Sequence, residues 1–201
     1  ELVDAGSQFA SFTPDVPGTY VFEVTVSDGD EEDTDEVTLT ASWDLRLSGV
    51  INADSTLVDR GAPYTVASWF SVDGGTLTVM PGVRIEFAQN AYMDVGTGGI
   101  LSAVGTVDDS IYFVGAEAQA GYWTGMDVHS NSPLNALSHV VVADGGGSNY
   151  ANVYLRSTGA IEISNSSLRG SATYGVDAES GADLTGWGEN ALSDNVLAGV
   201  H

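Results

Sequence analysis

The segment TLTVMPGVRIEF, residues 76–87, contains two short strand patterns separated by a tight turn. The first pattern is rich in β-branched residues, the turn is formed by Pro81 and Gly82, and Ile85 and Phe87 then alternate with charged residues. Each of these two short strands has an apolar face that is too small to form a core alone. The segment therefore indicates an all-β fold in which many similar units stack on one another.

A repeat runs through the rest of the chain. Strand patterns that contain a valine recur at intervals of 23 to 25 residues, apart from one interval of 33 that includes an Ala- and Gly-rich insertion at residues 115–121. Such a period accommodates three short strands and three turns per coil. We predict that the repeated valines stack in one inward column: Val72, Val95, Val128, Val153, Val176 and Val200.

Residues 62–200 resemble the right-handed parallel β-helix repeat family of the pectate-lyase-like superfamily. The resemblance rests on PYTV at 63–66, on residues 76–87, on VVV at 140–142 and on ISNSSL at 163–168. It implies a solenoid of about five to six rungs over residues 62–201, truncated at its C-terminus. Residues 43–61 are then the linker and N-terminal cap.

Residues 1–42 have longer alternating strands, GTYVFEVTV at 18–26 and DEVTLTA at 35–41. Together with FTPDVPGTY at 12–20 and VTVSDG at 24–29, they resemble the C-terminal half of a PKD-type immunoglobulin-like domain. The resemblance implies antiparallel strands whose missing partners leave an apolar face. We expect that face to pack on the β-helix cap or on another chain, and we interpret the chain as a fragment with neighbouring domains.

The charge of the chain restricts its partners. Its 28 acidic residues, five arginines and absence of lysine give a net charge of −23, which predicts no binding to nucleic acid or to anionic membranes. No apolar stretch is long enough for membrane insertion. The absence of cysteine excludes disulfides and thiolate sites. The acidity is explained equally well by adaptation to high salt and by simple solubility.

The segment at residues 28–36 is a candidate calcium loop. It holds seven carboxylates in nine residues, and calcium prefers six to eight oxygen ligands from a flexible loop. We expect the ligands to be Asp28, Asp30, Glu32 and Asp33. The alternative is a solvated hairpin loop on an acidic protein.

Two histidines, His129 and His139, have Asp127 and Asp144 nearby in sequence, which are zinc-ligand types. Their different places in the strand pattern favour unrelated surface or turn residues.

Aspartates also recur in the aligned repeats, at Asp73, Asp94 and Asp127, with Asp177 nearby. A column of carboxylates is able to bind calcium or serve catalysis. Its regular recurrence favours a product of the repeat.

Three aromatic residues near glycine-rich segments, Tyr122, Trp123 and Trp187, are candidate sugar-stacking residues. The alternative is packing at the cap or between rungs. Asn165 and Asn190 lie one rung apart and predict stacked turn asparagines, although Asn165 also begins a glycosylation sequon.

These observations predict a non-catalytic, secreted or cell-surface module. It is adhesin-like, with polysaccharide or cell-surface glycan as the candidate partner. The alternative is a polysaccharide lyase or glycoside hydrolase of the β-helix type. Lysine and cysteine are absent and no nucleophile lies near the histidines, so no catalytic residue is assigned and no cofactor other than calcium is expected.

Overall fold

The computed structural model describes residues 1–197 and 199–201. The chain divides into two compact units, Glu1–Asp44 and Leu45–His201. The first is a small antiparallel unit and the second is a parallel β-solenoid of about six turns. This confirms the predicted all-β class, the parallel solenoid and the antiparallel N-terminal segment.

The N-terminal unit is a long hairpin with a short second strand pair. Strands β1 (Leu2–Val3) and β2 (Ser11–Phe12) pair antiparallel, as do β3 (Gly18–Ser27) and β4 (Glu32–Ala41). The Phe12 ring lies 4.7 Å from that of Tyr20 and 4.8 Å from that of Phe22. Val24 remains 55% exposed. The hairpin therefore has an apolar face that is only partly covered within this unit, as the sequence predicted.

The described residues of the second unit form three six-stranded parallel sheets, each with one strand per rung. Sheet 1 contains β5 (Gly49–Ile51), β8 (Trp69–Val72), β11 (Tyr92–Val95), β14 (Gly125–Val128), β17 (Val153–Leu155) and β20 (Val176–Ala178). Sheet 2 contains β6 (Ser55–Leu57), β9 (Gly75–Val79), β12 (Gly99–Val104), β15 (Ala136–Ser138), β18 (Ala160–Ser164) and β21 (Asp183–Gly188). Sheet 3 contains β7 (Tyr64–Val66), β10 (Arg84–Phe87), β13 (Ile111–Gly115), β16 (Val140–Ala143), β19 (Ser167–Arg169) and β22 (Ala191–Ser193).

The first rung is β5, β6 and β7, and the sixth is β20, β21 and β22. Residues 49–57, which the sequence assigned to a linker and cap, contribute β5 and β6, which pair in parallel with β8 and β9. A 3-10 turn, Gly147–Asn149, connects sheet 3 to sheet 1 between the fourth and fifth rungs.

Alternate residues of each strand point into a continuous apolar core, because neighbouring side chains of a strand lie on opposite faces. Sheet 1 contributes two inward columns. One runs through Phe70, Met93, Met126, Val153 and Val176, and the other through Val72, Val95, Val128, Leu155 and Ala178.

The predicted single valine column is therefore wrong from the fifth rung onwards. Val128 pairs with Leu155, while Val153 pairs with Met126 in the other column. Val176 and Val200 continue the column that contains Met126 and Val153. A shift of two residues keeps a side chain on the same face of its strand, so the apolar pattern did not distinguish the two registers.

The corners between sheets 2 and 3 use one left-handed residue per rung in the last three rungs. His139, Asn165 and Glu189 occupy equivalent positions, with φ values of 51°, 50° and 53°. Asn165 therefore lies next to Glu189, and the predicted stacking of Asn165 on Asn190 is wrong. The Asn190 amide bonds to backbone instead, accepting from Ser166 N and donating to Ile163 O.

Candidate functional site

A cavity of about 550 Å³ lies on the outward face of sheet 1. Strands β5, β8, β11 and β14 form its floor, and residues 148 and 150 of the turn before β17 contribute to its wall. Its lining combines aromatic, hydroxyl, carboxylate and imidazole groups: Trp69, Ser71, Tyr92, Asp94, Asp127, His129 and Tyr150.

The site is built from outward positions of successive rungs. The register of sheet 1 places Ser71, Asp94, Asp127, Tyr154 and Asp177 in one outward column. Adjacent strands lie about 4.8 Å apart, so each of these residues lies directly beside its neighbour one rung away.

A second outward row follows the strands and contains His129, Arg156 and Glu179. These residues come directly after Val128, Leu155 and Ala178, which pair with one another in the sheet. Each also donates its backbone N–H to the preceding rung, as His129 does to Val95 O at 2.9 Å. The His129 imidazole, the Arg156 guanidinium and the Glu179 carboxylate therefore lie beside the outward column that contains Asp94 and Asp127.

Asp94, Asp127 and His129 form the centre of the site. His129 Nε2 lies 3.4 Å from Asp127 Oδ2 and 3.6 Å from Asp94 Oδ1. Ser71 Oγ donates to Asp94 Oδ2 at 3.1 Å. Burial raises the pKa of Asp94, and the Ser71 hydrogen bond and His129 oppose that shift. Asp94 Oδ1 is shielded from solvent and has no hydrogen-bond partner within the described part of the chain.

Arg156 holds Asp127 in place. Its Nε donates to Asp127 Oδ1 at 2.9 Å and its Nη2 donates to Asp127 Oδ2 at 2.7 Å. The guanidinium also lies 4.7 Å from the centre of the Tyr154 ring and donates to the Tyr150 hydroxyl at 3.0 Å. Its hydrogen bonds to Asp127 raise the pKa of Arg156, so this group stays charged.

Glu179 completes the network on the far side of Arg156. The Tyr154 hydroxyl donates to Glu179 Oε1 at 2.9 Å, and Ser157 N donates to Oε2 at 2.9 Å. The Tyr154 hydrogen bond is the main cause that lowers the pKa of Glu179, and the same bond raises the pKa of Tyr154. Both effects favour an ionised carboxylate beside a neutral phenol.

Two aromatic residues, Trp69 and Tyr92, also line the cavity. Trp69 and Tyr92 belong to neighbouring rungs, and their rings stack with centroids 6.3 Å apart and an interplanar angle of 14°. Trp69 is 37% exposed and Tyr92 is 40% exposed. The aromatic surface and the carboxylate centre therefore lie in one cavity.

The structure separates the three aromatic residues that the sequence put forward as ligand-binding. Trp123 is wrong as a direct ligand contact, because its indole is fully buried, stacks 4.0 Å from Phe87 and donates to Ala143 O at 2.7 Å. Tyr122 lies in the connection from sheet 3 to sheet 1, whereas Trp187 lies in β21 of sheet 2 and is 40% exposed. Neither is among the residues that line the cavity.

The four candidate calcium ligands lie around the hairpin turn of the N-terminal unit. Asp28 Oδ1 accepts the backbone N–H groups of Asp30 and Glu31, and these bonds lower the pKa of Asp28. Glu32 and Asp33 are consecutive residues of β4, so their side chains point to opposite faces. The structure therefore does not gather the four carboxylates around one point, and calcium binding there stays a prediction.

Within residues 1–197 and 199–201, the one group of three or more potential metal ligands within 4.8 Å of one another is Asp94, Asp127 and His129. In the sequence, His129 and Asp127 were grouped with His139 and Asp144 as candidate zinc ligands. In the structure His139 and Asp144 lie at corners on either side of β16.

The recurring aspartates come together only in part. Asp94, Asp127 and Asp177 share the outward column, whereas Asp73 follows β8 and lies outside it. Trp69 and Tyr92 were not predicted from the sequence. Their signal was present, because each directly precedes an aligned inward residue, Phe70 or Met93.

No helix among the described residues is long and apolar enough to cross a membrane. Comparison of the chain with family models, with curated proteins and with solved structures finds no match. The comparisons therefore support neither the resemblance to the pectate-lyase-like superfamily nor the resemblance to a PKD domain, and the assignment of the site rests on its geometry alone.

Proposed function

We propose that the solenoid is a carbohydrate-binding module that recognises polysaccharide through the outward face of sheet 1. The observation that supports this proposal is the placement of two exposed, stacked aromatic residues, Trp69 and Tyr92, in the same cavity as Ser71, Asp94 and Asp127. Aromatic surface packs against the apolar faces of sugar rings, and carboxylates accept hydrogen bonds from sugar hydroxyls.

The charge of the site selects among polysaccharides. Two carboxylates line the cavity, and the chain as a whole has a net charge of −23. A polyanion such as a uronic acid polymer would be repelled by this surface. The preferred ligand is therefore a neutral polysaccharide, rich in hydroxyl groups that donate to the carboxylates.

The proposal extends to the setting of the protein. We propose a secreted or cell-surface, adhesin-like protein of the pectate-lyase-like superfamily in which a PKD-type immunoglobulin-like domain precedes the solenoid. The antiparallel hairpin at Gly18–Ala41 and the partly covered apolar face beside it support the immunoglobulin-like assignment.

A glycan array followed by affinity gel electrophoresis tests this function. The intact chain is expected to bind neutral polysaccharides, and Trp69→Ala is expected to lose that binding. Trp187→Ala is the matched control, because Trp187 is similarly exposed but lies in sheet 2. Loss of binding in the Trp187 variant with retention in the Trp69 variant would contradict the assignment to sheet 1.

A second candidate function is glycoside hydrolysis, favoured by the proximity of Asp94 and Asp127 in adjacent rungs of the same cavity. Paired carboxylates are the groups that such enzymes use for acid, base or nucleophilic roles. Release of reducing ends from a bound polysaccharide, abolished by Asp127→Asn, would establish this activity. Binding without any product would leave the module non-catalytic.

A further inference from the structure

We propose that Asp94, Asp127 and His129 bind a divalent transition metal ion of the zinc class, with the remaining coordination positions open to the cavity. Metal binding at these three residues does not require a bound carbohydrate. The site combines one imidazole nitrogen with oxygens from two carboxylates on neighbouring rungs.

The separations of the donor atoms match those of ligands around one small ion. Zinc ligands lie about 2.0–2.1 Å from the metal, so two ligands at the tetrahedral angle are about 3.3 Å apart. His129 Nε2 lies 3.4 Å from Asp127 Oδ2 and 3.6 Å from Asp94 Oδ1. All three donor groups offer an atom within 4.8 Å of the other two.

Among the described residues, one of these carboxylate oxygens has no hydrogen-bond partner. Asp94 Oδ1 is buried and accepts no hydrogen bond from residues 1–197 or 199–201, and its 3.6 Å separation from His129 Nε2 is too long for one. An imidazole nitrogen carries at most one proton, so it cannot satisfy both carboxylates at once. A cation between the three groups satisfies both carboxylates and is itself stabilised by their charge.

The surrounding residues already orient both carboxylates. Ser71, which is 7% exposed, donates to Asp94 Oδ2 and leaves Oδ1 turned towards His129. Arg156 donates to both oxygens of Asp127, and it is itself held by Tyr150 and Glu179. Hydrogen bonds of this kind fix the orientation of metal ligands and strengthen metal binding.

The donor set identifies the class of ion. Imidazole combined with carboxylates suits zinc and the neighbouring first-row divalent ions, whereas calcium and magnesium prefer oxygen ligands alone. Three protein ligands at the edge of a cavity leave a position for water or for a hydroxyl group of a bound molecule. We therefore expect zinc to bind more tightly than calcium.

The chain allows a direct test because it contains only three histidines, His129, His139 and His201. With any affinity tag removed, zinc chloride is titrated into the full chain, and the three imidazole signals are followed by NMR while calorimetry measures affinity. Zinc is expected to shift one signal first, and that signal is expected to be missing from His129→Gln. His139→Gln is the matched control and should bind zinc as the unaltered chain does.

The carboxylates are tested with Asp94→Asn and Asp127→Asn, which preserve side-chain size. Each is expected to weaken zinc binding by about tenfold or more, at least as much as loss of a residue that supports a metal ligand. Circular dichroism checks that each variant is folded. Three results would overturn the proposal: no histidine signal that shifts with zinc, a first shift in His139 or His201, or calcium binding as tight as zinc binding that persists in His129→Gln.

Discussion

The buried side chain of Asn135 connects three successive rungs of the solenoid. It precedes β15 in the fourth rung and is fully buried. Its Oδ1 accepts the backbone N–H of Leu101 in the third rung at 2.9 Å, and its Nδ2 donates to Ala160 O in the fifth rung at 2.9 Å. Substitution with alanine therefore removes the partners of two buried backbone groups at once.

The expected cost of Asn135→Ala follows from those two groups. Each buried group left without a partner costs about 1–3 kcal/mol, so the free energy of unfolding should fall by about 2–6 kcal/mol. Urea unfolding followed by far-ultraviolet circular dichroism measures this change. Asn131→Ala is the control, because Asn131 is exposed. A loss below about 0.5 kcal/mol, typical of a surface substitution, would refute the reasoning.

Three further changes are testable by thermal unfolding. In Gly99→Ala the new Cβ would overlap the backbone of Val72 in the preceding rung, which should cost about 1–3 kcal/mol. In the control Gly188→Ala the new Cβ would lie 3.8 Å from Gly186 O, an ordinary van der Waals distance, so this change should be nearly neutral; equal losses would contradict this. Burial raises the pKa of Asp144, so its contribution to stability is complete below the ordinary value of 3.8 and is lost as pH rises through the raised value. Asp144→Asn, which tolerates the local φ of 69°, should therefore raise Tm at neutral pH but not below pH 3.8, and an equal gain at both would exclude this cause. Arg156→Ala leaves the Asp127 carboxylate without its main partner. Because the pair is partly exposed, the free energy of unfolding should fall by about 1–2 kcal/mol. The same fall with and without added salt would argue against a charge effect.

The solenoid was predictable because its physical cause is local and repeated. Short strands, turn residues such as Pro81 and Gly82, and a period near 24 residues occur in the sequence itself. The alignment of Val72, Val95 and Val128 was confirmed even across the long insertion. The register then failed at Val153, because Leu155 offers an equally apolar inward position two residues later.

The candidate site was less predictable because it depends on neighbours that are distant in sequence. The aligned repeats placed Asp94 beside Asp127, but His129 was not predicted to join this pair, although its Nε2 lies 3.6 Å from Asp94 Oδ1 and 3.4 Å from Asp127 Oδ2. Trp123 was misassigned for a related reason. Its neighbouring glycines suggested an exposed loop, whereas the indole packs against Phe87 and forms part of the core.

The outward face of sheet 1 has a consequence for how such a protein can evolve. Ser71, Asp94, Asp127 and Tyr154 share one backbone register yet carry hydroxyl, carboxylate and phenol groups. Their inward neighbours maintain the fold, so selection can replace one outward side chain without disturbing the core. New specificities can therefore arise by substitution of one rung at a time, while the same scaffold is inherited unchanged.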